Sequence, residues 1–99
     1  MTKPRITVAY TRGNDGEPDE VLLYLNPEGR DLLISELRRL DERSDHFHLQ
    51  DEEWGAEVPL QTKSYVPDRE QVVSVAKVML RPDHWDAEYF PHVLSDESK

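Results

Sequence analysis

The junction between residues 21–25 (VLLYL) and the segment that follows constrains the fold of this chain more than any other feature. Asn26 is suited to cap the backbone N–H groups that begin a helix, Pro27 suits the first helical position, and Glu28 complements the positive helix end. The preceding run is almost entirely apolar, which is typical of a strand with both faces at least partly covered. The sequence therefore predicts a strand near the centre of a sheet that turns directly into a helix.

The helix is predicted to run to about Arg43 and to turn one side toward a core. Leu33, Leu37 and Leu40 follow one another at i, i+4 and i+7, the spacing that lines one face of a helix. Ile34 widens that stripe. We therefore expect an amphipathic helix that packs on a sheet.

Five strands are predicted around this helix, at residues 5–11, 21–25, 46–50, 56–62 and 71–80. The composition of residues 13–19 (GNDGEPD) is that of a loop between the first two strands. Pro59 indicates that the fourth strand lies at a sheet edge, and the valine-rich fifth run favours one long interior strand. The order β-β-α-β-β-β predicts an α+β fold, a small antiparallel sheet with one helix packed on a face.

Length predicts a single domain over residues 1–99, because a chain of this size buries only roughly two-thirds of its unfolded surface and cannot support two cores. Residues 95–99 are expected to fray. The sheet face away from the helix needs a cover, and the large aromatic side chains are the candidates: Trp54, Trp85, Tyr89 and Phe90. Without that cover, a dimer would be expected to shield the face.

Composition narrows the function classes. The net charge is −9, which argues against a nucleic acid partner and favours a basic protein partner, although acidic charge can also serve solubility alone. The chain has no cysteine, no apolar run of membrane-spanning length and no signal-peptide pattern after its basic start. We therefore expect a cytoplasmic protein without a membrane partner.

Residues 44–55 (SDHFHLQDEEWG) combine histidines with acids. In a strand, His46 and His48 point to the same side, so both imidazoles could approach one metal ion, with oxygen from Asp45 or Asp51. A zinc site requires at least three protein ligands, and the sequence does not place a third one. A small metal-binding protein or metal-dependent enzyme is therefore an alternative hypothesis.

The competing interpretation of the same strand buries Phe47 and Leu49 and leaves both histidines on the solvated face. In either interpretation, titration of the two imidazoles could make this strand sensitive to mildly acidic conditions. No serine has a nucleophile-elbow context, and no glycine-rich loop could cradle a phosphate. The sequence therefore predicts a protein that is not an enzyme and that carries no metal or other cofactor.

Residues 83–92 (DHWDAEYFPH) are typical of a binding segment. Large aromatic side chains alternate there with three acids, Asp83, Asp86 and Glu88. Aromatic anchors supply interface hot spots, and carboxylates steer a basic partner toward them. The same aromatics could instead cap the sheet, and both roles are compatible.

Four motifs resemble the immunity protein 32 family of bacterial polymorphic toxin systems: LYLNPEGRDLLISELRRL, SDHFHL, EWG and MLRPDHWDAEYFPHV. The resemblance implies a small α+β protein that binds and neutralises a cognate secreted toxin in the cytoplasm. The matching positions are Ser44, Asp45, His46, His48, Trp54, Gly55, Trp85, Glu88, Tyr89 and Phe90.

The predicted partner-binding surface combines this resemblance with the charge pattern. Its residues are Asp45, His46, His48, Asp51, Glu52, Glu53, Trp54, Asp83, Trp85, Asp86, Glu88 and Tyr89. We expect the partner to be a toxin protein, and the acidic balance favours a basic one, such as a nuclease. A homodimeric domain without a toxin partner is the third hypothesis.

Overall fold

The computed structural model describes residues 3–12 and 18–95 of the chain. The described elements are β1 (Ile6–Arg12), β2 (Pro18–Leu25), α1 (Pro27–Arg39), β3 (His46–Asp51), β4 (Val58–Leu60), β5 (Glu70–Val72), β6 (Val75–Met79), α2 (Asp83–Tyr89) and a 3₁₀ turn (Pro91–Leu94). The α+β class is confirmed. Most of the predicted 13–19 loop and of the 95–99 tail lies outside the described residues.

The start of α1 follows the sequence prediction. The Asn26 side chain accepts a hydrogen bond from the Gly29 N–H at 2.7 Å, with Pro27 at the first turn. The predicted helix end at Arg43 is wrong, because α1 ends at Arg39. The Asp41 carboxylate accepts hydrogen bonds from the main-chain N–H groups of Arg43 and Ser44, and this local turn replaces a further helical turn.

The apolar stripe of α1 is only partly buried. Leu33 and Leu40 pack against the core as predicted. Leu37 is 46% exposed and Ile34 is 39% exposed, so the prediction is wrong for these two. Gly29 is the buried residue of the helix, and a Cβ there would lie 2.9 Å from Ile6 Cγ1, so close packing is strongest at the first turn.

The described strands form two three-stranded sheets rather than the single sheet predicted. Sheet A has the order β2-β1-β5, and sheet B has the order β4-β3-β6. The run 71–80 is not one long strand, because the chain leaves sheet A and enters sheet B between β5 and β6. At the crossing, the Val73 N–H donates to the Val8 carbonyl oxygen at 2.7 Å, and the Asp51 N–H donates to the Ser74 carbonyl oxygen at 2.8 Å.

The strands at the sheet edges give one confirmation and one correction. Pro59 lies in β4, an edge strand of sheet B that pairs in parallel with β3. The predicted central position of residues 21–25 is wrong, because β2 is the edge of sheet A. Val21 is 71% exposed and Leu23 is 51% exposed, although the sequence there is typical of a buried strand.

The core is small. Its buried members come from β1, β3 and β4: Ile6, Phe47, Leu49, Val58 and Leu60. The other face of β1 is buried beneath the segment 61–70, where Gln61 donates to the Thr7 hydroxyl and Tyr65 stacks on Tyr24 at 4.0 Å between ring centroids. Thr7 is fully buried there. No helix in the described part of the chain is long and apolar enough to cross a membrane.

The aromatic residues predicted to cover the sheet do not do so. Trp54 is 60% exposed, Tyr89 is 56% exposed and Phe90 is 43% exposed, whereas Trp85 is half-buried. The cover on sheet A is the segment 61–70, so these aromatic side chains stay available for another role.

Candidate protein-binding surface

The alternation of β3 decides which of its side chains reach solvent. Phe47 and Leu49 are buried, whereas His46 is exposed and His48 is half-exposed. The interpretation that buries the two apolar residues is therefore confirmed. The two imidazole rings lie side by side, with their centroids 5.2 Å apart in an edge-on arrangement.

Each histidine of β3 has a carboxylate neighbour of its own. His46 Nδ1 lies 2.9 Å from Asp45 Oδ1, and this hydrogen bond is the main cause that lowers the pKa of Asp45. Glu57 accepts a hydrogen bond from the His48 main-chain N–H at 2.7 Å, which is the main cause that lowers the pKa of Glu57. Both carboxylates are therefore held ionised beside the rings.

The geometry gives the metal hypothesis no support. Within residues 3–12 and 18–95, no three histidine, aspartate or glutamate side chains converge in a way that could hold a metal ion. His84 lies 3.0 Å from Glu42 instead of approaching the β3 pair.

The C-terminal arm, residues 83–94, consists of α2 and the 3₁₀ turn. Pro82 precedes the helix and cannot continue a strand ladder, and Asp83 and Asp86 place negative charge at the positive helix end. No residue of α2 or of the turn is buried. The arm is therefore a surface segment that does not contribute to the core.

The base of the arm is fixed to sheet B. The Leu80 N–H donates to the Asp45 carbonyl oxygen at 2.7 Å, and an Arg81 guanidinium nitrogen lies 3.9 Å from the Asp45 carboxylate. The same guanidinium lies over the Trp85 ring, 4.3 Å from its centroid. The His84 contact with Glu42 adds a link to the segment that follows α1.

The apolar side chains of the arm pack on one another and stay open to solvent. Trp85 contacts Tyr89 and Phe90, with ring centroids 4.6 Å and 5.5 Å apart. Val93 and Leu94, at the far end, are 57% and 44% exposed. An aromatic cluster thus stands at the surface next to acidic side chains.

The acids of the arm have no cationic partner among the described residues. Asp83 and Glu88 are exposed and Asp86 is half-buried, and no ion pair engages any of the three. Exposed carboxylates without a cationic neighbour add to the negative surface potential, so they can attract a basic surface.

The structure divides the predicted surface in two. Asp45, His46 and His48 lie at the end of β3 where β6 delivers the arm, since His46 pairs with Met79. Asp51, Glu52, Glu53 and Trp54 lie at or beyond the opposite end of that strand, where Asp51 is about 16 Å from His46 and about 10 Å from His48 at 3.3 Å per residue. The first group adjoins the base of the arm through the contacts of Asp45 with Leu80 and Arg81.

A buried carboxylate was missed by the sequence interpretation. Glu70 is 6% exposed and accepts hydrogen bonds from the Tyr24 hydroxyl (2.8 Å), the Ser64 hydroxyl (2.8 Å) and the Tyr65 N–H (3.0 Å). Desolvation by burial is the largest influence and raises its pKa, but the hydrogen bonds together lower the pKa of Glu70 below its ordinary value. The same bond raises the pKa of Tyr24. Two of these donors lie within the run KSYVPDRE itself, but the Tyr24 hydroxyl comes from β2, far away in sequence, so the run alone does not single out Glu70.

Beside Glu70 a shallow groove of about 670 Å³ opens to solvent. Arg12 and Arg69 line it together with Glu20 and Asp68, so neither charge dominates. Glu70 itself is engaged by three donors. The groove therefore does not favour a particular ligand, and the role of Glu70 is to fix the segment 61–70 on sheet A.

In comparisons with protein-family models, with curated proteins and with solved structures, no match to this chain is found. The resemblance to the immunity family therefore stays a prediction.

Proposed function

We propose that this protein is a non-enzymatic immunity protein that binds a cognate bacterial toxin domain in the cytoplasm and neutralises it. The binding surface is the C-terminal arm together with Asp45, His46 and His48. Asp51, Glu52, Glu53 and Trp54, at the far end of β3, form a separate patch and are left out of the main contact.

The arm is the observation on which the proposal rests. A small domain needs its large apolar side chains for its own core, yet Tyr89 and Phe90 remain about half exposed here. Side chains that the monomer leaves about half exposed are available for binding, and aromatic side chains are enriched among the anchors of interfaces. The fixed base at Arg81 and Asp45 limits the ordering cost when a partner binds.

The acidic residues of the arm lead us to expect a basic partner. Asp83, Asp86 and Glu88 lie within two helical turns, and the whole chain carries a net charge of −9. Such a surface accelerates the encounter with a basic protein and leaves the lifetime of the complex to the aromatic contacts. A basic toxin domain, such as a nuclease, fits both features.

The test uses the purified protein and the toxin domain of the polymorphic toxin made by the same strain. Association and dissociation rates are measured by surface plasmon resonance at two salt concentrations. Reversing Asp83, Asp86 and Glu88 to lysine is expected to lower the association rate at least tenfold at low salt and to weaken its salt dependence. Tyr89→Ala is expected to raise the dissociation rate instead, since a central aromatic anchor contributes about 2 kcal/mol or more.

The matched control reverses Asp31, Glu53 and Asp68, three exposed acids outside the arm, and so changes the net charge equally. It is expected to retain most of the association rate. Equal slowing by both triple variants would show that net charge alone steers binding. Wild-type kinetics in the folded arm variant would refute the arm as the interface, and protection of growing cells from the toxin provides a second readout.

A further inference from the structure

The strand β2 has the apolar sequence of a buried strand, but it lies at the edge of sheet A. No described strand pairs with its outer edge, and the side chains of Val21 and Leu23 are more than half exposed. Proteins usually protect such an edge with lysine, proline or a bulge inside the strand. β2 has no basic residue, and its single proline and the shift in its register with β1 both lie before Glu20, at the first two residues of the strand.

The register of sheet A shows which backbone groups point outward. The Asn26 N–H donates to the Arg5 carbonyl oxygen, and the Val73 N–H donates to the Val8 carbonyl oxygen on the other side of β1. Odd-numbered residues of β1 therefore face β2, since backbone groups alternate sides along a strand. Leu22 and Tyr24, paired with Ala9 and Thr7, bond to β1.

The alternate residues of β2, Val21, Leu23 and Leu25, consequently direct both N–H and C=O toward the outer edge. Their side chains also lie on one face of the sheet, the face that carries Ile6 and Val8. The same three residues thus present unpaired backbone groups and exposed aliphatic side chains.

We propose that β2 pairs antiparallel with β2 of a second copy of this chain, with Leu23 opposite Leu23 across the two-fold axis. Val21 then lies opposite Leu25 of the second copy, and the three outward-facing residues of each copy exchange backbone hydrogen bonds. Six aliphatic side chains become one continuous apolar strip. The two sheets A join into a single six-stranded sheet.

The charges of β2 fit its own copy. In this register Glu20 lies opposite Asn26, the residue that caps α1, and so stands near the positive end of the helix of the second copy. No carboxylate lies opposite another carboxylate. A strand that had to pair with itself would carry its acids at one end only, as β2 does. The proposal does not depend on toxin binding.

The test is the mass in solution, measured by sedimentation equilibrium. Wild-type protein is expected to be dimeric. Leu23→Lys and Leu23→Glu are each expected to weaken dimerisation on the order of 100-fold, because like charges then meet across the axis and apolar contact is lost. A mixture of the two variants is expected to recover the dimer, since lysine then lies opposite glutamate. Far-UV circular dichroism confirms that each variant is folded.

Leu37→Lys on α1 is the matched control, because Leu37 is exposed to a similar degree, 46% against 51% for Leu23. It should leave the dimer intact. A wild-type mass of one chain up to about 1 mM, a concentration that reveals even weak association, would overturn the proposal. A dimer that survives both Leu23 substitutions would also overturn the proposal. That result is expected if the two copies associate through the C-terminal arm instead.

Amide hydrogen exchange gives an independent readout without substitution. On dimerisation, hydrogen exchange at the N–H groups of Val21, Leu23 and Leu25 is expected to become slower. The N–H groups of Leu22 and Tyr24 are bonded to β1, so they are protected in the monomer and in the dimer. Equal exchange of the first three amides at low and high protein concentration would contradict the pairing.

Discussion

Replacing Asn26 by alanine tests how the start of α1 is attached to sheet A. The Asn26 side-chain oxygen accepts two main-chain hydrogen bonds, from Gly29 at 2.7 Å and from Arg5 at 2.8 Å, and its amide donates to the Lys3 carbonyl oxygen at 3.0 Å. One side chain therefore joins the helix to the strand that leads into the core. Alanine removes all three hydrogen bonds.

The expected loss follows from these contacts. Loss of the N-cap costs about 1 kcal/mol, and the unpaired Arg5 N–H, which is near the surface, adds about 1 kcal/mol. We expect Asn26→Ala to lower the free energy of unfolding by about 2 kcal/mol. With a urea m-value of about 1–2 kcal/mol/M, the unfolding midpoint should fall by about 1–2 M.

Asn26→Asp is the control for this prediction. Aspartate keeps an acceptor for both N–H groups and adds negative charge at the helix start, but it loses the bond to Lys3, so it should stay within about 1 kcal/mol of wild type. Urea unfolding at one fixed protein concentration measures all three proteins. An alanine variant within about 0.5 kcal/mol of wild type, or an aspartate variant as unstable as alanine, would refute the reasoning.

Three further predictions concern packing and pH. Gly29→Ala is expected to destabilise the fold by about 1–3 kcal/mol despite alanine's higher helix propensity, since its Cβ would lie 2.5 Å from a main-chain oxygen; thermal unfolding measures this. Phe47→Ala should lower the free energy of unfolding by about 3–5 kcal/mol because Phe47 is buried, whereas Trp54→Ala should lower it by less than about 0.5 kcal/mol because Trp54 is 60% exposed. Urea unfolding of the two variants measures both values. The lowered pKa of Glu70 adds stability at pH values above its ordinary pKa of about 4.3, and this contribution is lost as pH falls through the lower folded pKa. The raised pKa of Tyr24 adds stability at pH values below its ordinary pKa of about 10, and that contribution is lost as pH rises through the higher folded pKa. A Glu70→Gln variant lacks both contributions, so its stability should depend less on pH, with the largest loss relative to wild type between about pH 5 and 9 and a smaller loss at both extremes.

Local chemistry was readable from the sequence where it depends on near neighbours. Asn26 and Pro27 predicted the helix start because a cap is formed within one turn. The alternation of Phe47 and His48 predicted which side of β3 is buried, since a strand has a period of two.

The sequence predictions were wrong where contacts between distant segments determine the structure. The run 71–80 is valine-rich throughout, and nothing in it marks Ser74 as the point where the chain changes from one sheet to the other. Residues 21–25 carry the composition of a covered strand, but composition does not state whether the cover belongs to the same chain. Glu70 was missed because its contact with sheet A is made by Tyr24, 46 residues away, although its other two donors, Ser64 and Tyr65, are close in sequence.

The two-sided pairing of β1 also sets the order in which the chain can complete sheet A during synthesis. β2 follows β1 at once, but β5 reaches Thr11 only through Glu70, after 59 further residues. At a translation rate of about 5–20 residues per second, the 45 residues from Leu25 to Glu70 leave the β1–β2 hairpin without its third strand for on the order of 2–9 s. During that interval β1, the future centre of the sheet, is itself an open edge on the ribosome, and the segment 61–70 that will bury Thr7 has yet to arrive.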